Sequence, residues 1–256
     1  MSTFRRLAPW VLLAVALTAA AIGPLLPGLD PYHQDLLARN LPPGPGHWLG
    51  TDSRLTLLVA VCSAGIALLG GAGLGLMGCV AGGPARGAVY AAFDMIRTLP
   101  PILLSLALMV SLGVGTLSVI LAVGIAFMPL FGYVARAVYE REMASGYVAA
   151  ARVLGIAPAA IAWRHVLPNA AGALLTQVAI VVPRAIVTES VLSFFGLGVS
   201  PDVPTWGRII ATAVSYAEQA PASLLLPVLA LALTTLSLSV LGNRLRDRFD
   251  PLGARA

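Results

Sequence analysis

Four charged side chains lie inside long apolar runs of this sequence, and they are the residues best placed to do chemistry. Asp94 and Arg97 are three residues apart, and Arg184 and Glu189 are five apart. A charge at membrane depth is costly unless it faces water or another protein group. These residues could therefore line a transport pathway or a subunit interface, or they could have a purely structural role. The structural alternative is a local ion pair for Asp94 and Arg97, and membership of an ion pair for Glu189.

Patterns that would indicate catalysis or a metal site do not occur in the sequence. There is no G-x-x-x-x-G-K-[ST] P-loop, no nucleophile elbow and no H-E-x-x-H, and lysine is absent altogether. His33, His47 and His165 are too scattered to form a metal site, and the spacing of Cys62 and Cys79 matches no zinc or redox motif. The sequence therefore predicts neither an enzyme nor a bound cofactor or metal.

The composition is that of a membrane protein. Of the 256 residues, 58% are hydrophobic and only 11% are charged, against about 25% charged in an average soluble domain. The net charge is +5, but no nucleic-acid recognition motif accompanies it. Because the arginines lie at the ends of apolar runs, we interpret them as topology signals and expect no nucleic-acid partner.

The apolar runs predict one all-α integral membrane domain, residues 1–256, with six transmembrane helices. The predicted spans are 7–26, 55–81, 88–112, 117–137, 172–195 and 223–241, with an external loop at 27–54, a cytoplasmic loop at 138–170 and an external segment at 196–222. The first run could instead be a cleaved signal peptide, since Arg5-Arg6 precede it, but its length of about 20 residues favours a span. Pro100-Pro101 predict a kink or a break in the third span.

Small residues and the charge distribution add two expectations. Gly71, Gly75, Cys79 and Gly83 recur at every fourth position, a spacing that lets two membrane helices approach closely. Eleven arginines fall on the side assigned to the cytoplasm and three on the other, which predicts that both termini are cytoplasmic. The eleven are Arg5, Arg6, Arg86, Arg136, Arg141, Arg152, Arg164, Arg244, Arg246, Arg248 and Arg255, and the three are Arg39, Arg54 and Arg208.

The stretch from Gly146 to Asn169 is too polar to be a span, and it lies between two apolar runs. Strong helix formers over 144–154 predict a short helix, and Gly155 suits the left-handed position just past its end. Pro158 can open a second short helix, and Pro168 predicts the next boundary. We therefore expect two short helices joined by a tight turn outside the bilayer, with exposed arginines.

This stretch resembles the cytoplasmic "EAA" loop of ABC-importer permeases. Ala149-Ala150-Ala151 stands for E-A-A, Gly155 for the glycine that follows, and Val166-Leu167-Pro168 for the end of the pattern. The form A-A-R-x-L-G followed by R-H-V-L-P-N is similar to the branch that serves dipeptides, oligopeptides and nickel. The sequence departs from the pattern at Ala149, which replaces the leading acid and removes one charge from the expected ATPase contact.

Further motifs of the same branch follow in the correct order. His47 to Asp52 resembles its H-x-L-G-T-D, Glu189 to Gly198 its E-A-x-L-S-F-L-G-L-G, and Pro204 to Gly207 its P-x-W-G. The tail from Gly242 to Pro251 resembles G-D-x-L-R-D-x-L-D-P. A G-R-D-containing segment that the family carries after its H-x-L-G-T-D is missing here, so the external loop is shortened.

The resemblance implies a multi-pass permease subunit of a bacterial inner membrane with the ABC-importer (MetI-like) bundle. It implies a second, similar permease, two ATP-binding subunits that hold the ATP, and an external solute-binding protein. The residues that it assigns to the ATPase-coupling loop are Ala149, Ala150, Ala151, Arg152, Gly155, Pro158, Arg164, His165, Leu167 and Pro168. The cargo remains open among peptides, nickel and related small solutes.

Three other functions stay open on the residues alone. The main alternative is a stand-alone secondary transporter or channel that uses the four intramembrane charges. A scaffold that binds the ATPase without transporting anything is another. A membrane hydrolase using His165 is disfavoured, because no suitable acid lies near that residue in the sequence.

Overall fold

The computed structural model describes residues 53–199 and 205–249, and every regular element in these two ranges is helical. In order they are α1 (Ser53–Ala81), α2 (Gly83–Arg97), α3 (Pro101–Leu112), α4 (Thr116–Met143), α5 (Gly146–Val153), α6 (Pro158–Ile161), a π-helical segment (Ala162–Val166), α7 (Leu167–Phe194), α8 (Trp206–Val214) and α9 (Pro221–Phe249). The predicted first span, 7–26, and nearly all of the predicted loop 27–54 lie outside the described residues. That the whole chain forms one transmembrane domain stays a prediction.

Four helical stretches are long and apolar enough to cross a membrane. They are Leu55–Ala81, Thr116–Met143, Pro158–Phe194 and Pro221–Arg246. A fifth candidate is the pair α2 and α3, which meet at 95°. The bend falls at Pro100-Pro101, because a proline cannot donate the hydrogen bond that would continue α2. The predicted break is therefore confirmed, and it is much sharper than a kink.

α1 and α4 pack with their backbones in close contact. A Cβ added to Gly71 would lie 2.1 Å from the carbonyl oxygen of Met128, and one added to Gly75 would lie 2.8 Å from the Cα of Gly132. The predicted packing role of Gly71 and Gly75 is thus confirmed. Gly83 does not belong to this row, because α1 ends at Ala81 and Gly83 begins α2 with a positive φ of 47°.

The predicted boundary at Pro168 is wrong. The chain stays helical from Pro158 to Phe194, and Pro168 lies in the first turn of α7, where a missing N–H is tolerated. Residues 158–170 of the predicted cytoplasmic loop and the span predicted at 172–195 therefore belong to one continuous helical stretch. In the predicted external segment, α8 supplies a short helix, and its N-cap Thr205 accepts a hydrogen bond from the backbone N–H of Arg208 at 3.4 Å.

We expect Gly71→Ala to destabilise the protein by about 1–3 kcal/mol, because the added methyl group collides with the backbone of α4. Gly73→Ala is the matched control on the same helix, since a Cβ there meets nothing within 4 Å. That control should be neutral or slightly stabilising, as alanine favours helix over glycine. Thermal unfolding of the purified protein in detergent, followed by tryptophan fluorescence, measures both. Equal melting temperatures for the two variants would contradict the packing described here.

Candidate functional site

The first of the two predicted short helices is present as α5, whereas the second, α6, begins at Pro158 and continues through the π-helical segment into α7. α5 ends in a turn in which Gly155 has a φ of 76°. The N–H of Gly155 donates to the carbonyl of Arg152 at 3.0 Å, and the N–H of Ile156 donates to that of Ala151 at 3.1 Å. This is a Schellman closure, which needs a left-handed residue at the position of Gly155. Pro158 then occupies the first turn of α6, as predicted.

The short helices have a small apolar core of their own. Val148, Ala151 and Ile161 are buried together, and Met143 at the end of α4 packs against them. Ala149 and Ala150 face away from this core and are exposed. The three alanines of the motif therefore differ in role, since Ala151 packs inside while Ala149 stands at a surface where a partner could reach it.

A buried carboxylate, Glu142, ties this loop to the membrane helices. It lies at the end of α4 and is 9% exposed. Its side chain accepts hydrogen bonds from the hydroxyl of Tyr147 in α5, from the amide of Asn169 in α7 at 3.1 Å, and from the guanidinium of Arg141 at 3.3 Å. Because the carboxylate holds the phenolic proton, the pKa of Tyr147 is raised. One side chain thus connects α4, α5 and α7.

Sequence reasoning did not identify this cluster. Tyr147 and Asn169 lie inside the stretch that the sequence singles out, but Glu142 was only a residue leading into it. Glu142 and Asn169 are 27 positions apart, and the three residues follow no periodic pattern. Only the folded structure therefore shows that they lie together.

The outer surface of the loop, which the sequence predicts to lie outside the bilayer, carries large exposed apolar side chains. Val153 is 88% exposed, Leu154 79% and Trp163 72%. Arg152 and Arg164 are exposed beside them, as predicted, and Pro158 and Pro168 are also exposed. His165 and Leu167 are half-buried, and the His165 ring lies 5.5 Å from that of Tyr147. We call Val153, Leu154 and Trp163 the apolar face of the loop.

A second feature is a cavity of about 920 Å³ between the membrane helices. Its wall is formed by the bend between α2 and α3, by α4 around Pro129, by α7 around Pro183, and by α9. Arg97 and Arg184, two of the four intramembrane charges noted in the sequence, both line it. Asp94 and Glu189 do not line it. The two basic residues of the four therefore lie at the cavity and the two acidic residues do not.

Asp94 and Arg97 do not form the local ion pair that the sequence favours. Instead, Tyr133 from α4 contacts both of these α2 residues, and its hydroxyl donates to Asp94 at 2.5 Å. The guanidinium of Arg97 lies over the Tyr133 ring, 4.8 Å from its centroid. An aromatic ring from another helix therefore holds both residues, which the spacing of three could not reveal.

Glu189 lies in the interior of the chain rather than on the cavity. It is fully buried, and the hydroxyl of Ser193 donates to its Oε1 at 2.7 Å. Within the described residues it takes part in no ion pair, which is contrary to the structural ion pair considered above. Its separation from Arg184 agrees with the expectation that residues five apart do not share a helix face. Glu189 therefore does not line this cavity, and its possible role in a pathway or an interface stays a prediction.

A helical multi-pass bundle with a cavity between its spans and a pair of short helices between two of them defines a membrane permease. The sequence matches the family described as "Binding-protein-dependent transport system inner membrane component" over residues 67–252. The chain belongs to this family, which confirms the resemblance to ABC-importer permeases. It is a multi-pass protein of the bacterial inner membrane.

Curated relatives cover most of the chain. It is 33% identical over 224 residues to the di/tripeptide transport system permease protein DppC of Pseudomonas aeruginosa, covering 88% of this chain and 71% of that one. It is 31% identical to the glutathione transport system permease protein GsiD of Pectobacterium atrosepticum (82% and 74% covered). It is 27% identical to the oligopeptide transport system permease protein OppC of Bacillus subtilis (94% and 83% covered).

The fold is also found among solved structures. An inward-facing conformation of the MetNI methionine ABC transporter matches with a TM-score of 0.63 at 17% identity, covering 76% of this chain and 93% of the matched chain. At this identity the likeness establishes the fold only.

We expect Glu142→Gln to loosen the short helices, because a neutral amide is a weaker acceptor for Tyr147 and Asn169. Hydrogen bonds to a charged group contribute about 1.5–3 kcal/mol, so amide hydrogen exchange across 146–153 should speed up by about tenfold or more. Glu140→Gln is the control, since Glu140 is 47% exposed and pairs with Arg86 and Arg136 at the surface. Unchanged exchange in Glu142→Gln would show that the cluster does not hold the loop.

Proposed function

We propose that this permease imports peptides or related small solutes, and that separate ATP-binding subunits drive it through the loop containing α5 and α6. It would form half of the pathway, with a second, similar permease forming the other half. An external solute-binding protein would deliver the cargo. The observation that carries the proposal is the exposed apolar face on a loop whose sequence resembles the coupling loop of the family.

The apolar face supports docking to another protein. Large apolar side chains that stay exposed on a folded segment outside the bilayer mark an interaction surface, and tryptophan is prominent among residues that dominate binding energy. Two short helices presenting such a face fit a groove on a partner. The partner would supply the ATP site, because this chain carries no P-loop.

The structure offers a direct route from the loop to the cavity. Trp163 and Arg184 belong to one helical stretch, Pro158–Phe194, and Glu142 ties the same loop to α4. A displacement of the short helices by closing ATPase subunits would therefore move two walls of the cavity. Rocking of such rigid elements is the usual basis of alternating access.

The cargo follows from the relatives. By name, the three described above transport di/tripeptides, glutathione and oligopeptides, which favours peptides over nickel. The main alternative, a secondary transporter, would need a carboxylate facing the pathway to couple to a cation gradient. Within the described residues the cavity lining contains neither Asp nor Glu, so this alternative has no coupling group there.

The proposal is tested by purifying the tagged protein in mild detergent, identifying the proteins that accompany it, and reconstituting the complex in proteoliposomes. We expect a second permease, two ATP-binding subunits, and peptide uptake that needs both ATP and the binding protein. Uptake driven by an ion gradient without any ATPase would support the secondary transporter. Protease cleavage of the 143–168 loop from outside intact cells would also contradict the proposal.

Trp163→Ala should weaken ATPase binding, because it removes the largest side chain of the apolar face. A residue at the centre of such an interface contributes about 2 kcal/mol or more, so the Kd should rise by about 30-fold. The measurement is a titration of the purified ATPase subunits onto the permease complex in nanodiscs. Leu229→Ala, which truncates an exposed apolar side chain (53% exposed) on α9 away from the loop, should leave the Kd unchanged. Equal Kd values for the two variants would rule out this docking face.

Gly155 offers a separate test that depends on backbone conformation. A Cβ there meets nothing within 4 Å, so the constraint is the φ of 76° rather than crowding. Gly155→Asn should keep most transport, since asparagine tolerates the left-handed region, whereas Gly155→Val should lose most of it. Gly155→Pro should abolish transport while the protein still inserts, because it also removes the hydrogen bond to Arg152. Normal peptide uptake by the Gly155→Pro variant would contradict this assignment.

A further inference from the structure

The cavity between the membrane helices carries positive charge without an acidic counterpart in its wall. Arg97 and Arg184 are its only charged lining residues within the described part of the chain. Neither takes part in an ion pair there. Arginine stays charged at any physiological pH, and a charge at membrane depth is costly unless it faces protein, water or a ligand. The ring of Tyr133 faces Arg97, and both arginines remain exposed at the cavity. The cavity is therefore electrostatically suited to an anion.

The hydroxyl groups around the two arginines already donate their hydrogens to backbone carbonyls, so the guanidiniums are left as the hydrogen-bond donors. Thr188 donates to the carbonyl of Arg184 at 2.9 Å, Thr235 to that of Leu231 at 2.8 Å, and Ser239 to that of Thr235 at 2.7 Å. Because a hydroxyl has one hydrogen and two lone pairs, these oxygens can still accept hydrogen bonds but have no proton left to donate. Anionic ligand atoms would thus meet arginine, and ligand N–H groups would meet hydroxyl oxygens.

Proline residues from three parts of the chain line this wall. Pro100 and Pro101 lie at the bend after Arg97, Pro129 lies in α4, and Pro183 directly precedes Arg184. Pro129 and Pro183 lie inside helices, where each lacks the N–H that would complete the regular hydrogen-bond pattern. The two arginines come from segments more than 80 residues apart in sequence, and the fold brings them to one cavity.

We propose that Arg97 and Arg184 bind the carboxylate of a peptide as it crosses the membrane through this cavity. Planar guanidinium groups match carboxylates with paired N–H donors, and the hydroxyl oxygens accept from the peptide N–H groups. The inference rests on the proposed function and deepens it, because it assigns a place and a chemistry to cargo recognition inside the permease itself.

The test compares trialanine, which has a free carboxylate, with trialanine amide, which lacks that charge. Initial ATP-driven uptake of each is measured in proteoliposomes containing the complete importer, with one preparation of binding protein for all variants. Any selectivity of the binding protein is then constant, and a change between variants reports the permease. The wild type should take up the acid faster than the amide.

Arg184→Gln should lower uptake of the acid by about tenfold or more, since a hydrogen bond to a charged group is lost, while uptake of the amide changes little. Arg184→Lys should recover part of the acid uptake because it keeps the charge. Arg246→Gln is the control, because Arg246 lies on α9 outside the cavity. It should leave both rates unchanged.

Two outcomes would overturn the inference. One is an unchanged ratio of acid to amide uptake in both Arg184→Gln and Arg97→Gln. The other outcome has three parts: the Arg184→Gln complex loses the second permease, Arg184→Lys restores it, and Arg97→Gln keeps the normal ratio of acid to amide uptake. That result would make Arg184 an interface residue. If the wild type takes up neither peptide, the proposed function fails first. If it takes up both and only the ratio is insensitive, the function stands without this site.

Discussion

Close backbone contact between α1 and α4 is the constraint on which the rest of the structure depends. In lipid, burying a leucine between helices gains little, because the acyl chains are equally apolar, so association relies on tight packing at small residues. Gly71 lies against the carbonyl of Met128, and Gly75 lies against Gly132, so no side chain fits at these two positions of α1. This contact fixes α4, and α4 carries both Pro129 in the cavity wall and Glu142 at its C-terminal end.

α4 and α7 are consequently the two elements that join the loop to the cavity. Glu142 connects them through Asn169, and Tyr147 adds the first short helix to the same cluster. A buried carboxylate with three donors is stable only while all of them stay in place, because a lost partner leaves a desolvated charge. The loop should therefore move together with the ends of both membrane helices rather than swing independently of them. Such rigidity is what a segment needs if it is to transmit force from a partner.

The sequence predicts those features that depend on local chemistry. The break at Pro100-Pro101 and the left-handed turn at Gly155 follow from what proline and glycine do to the backbone, and the spans follow from hydropathy. The features that it missed depend on contacts between distant segments. Asp94 and Arg97 look like a local pair until Tyr133 from another helix engages both. Nothing in the local sequence shows that Arg97 and Arg184 share a cavity, or that Glu189 points away from it.

The π-helical segment explains why Pro168 does not break the helix. The N–H of Leu167 donates to the carbonyl of Ala162, five residues back, so this turn holds one residue more than an α-helical turn. Ile161, just before the segment, packs in the core of the short helices, and Val166, at its end, packs in the main core of the bundle. The widened turn lets a single helix contribute residues to two cores. It also places Pro168 in the first turn of α7, where its missing N–H costs little.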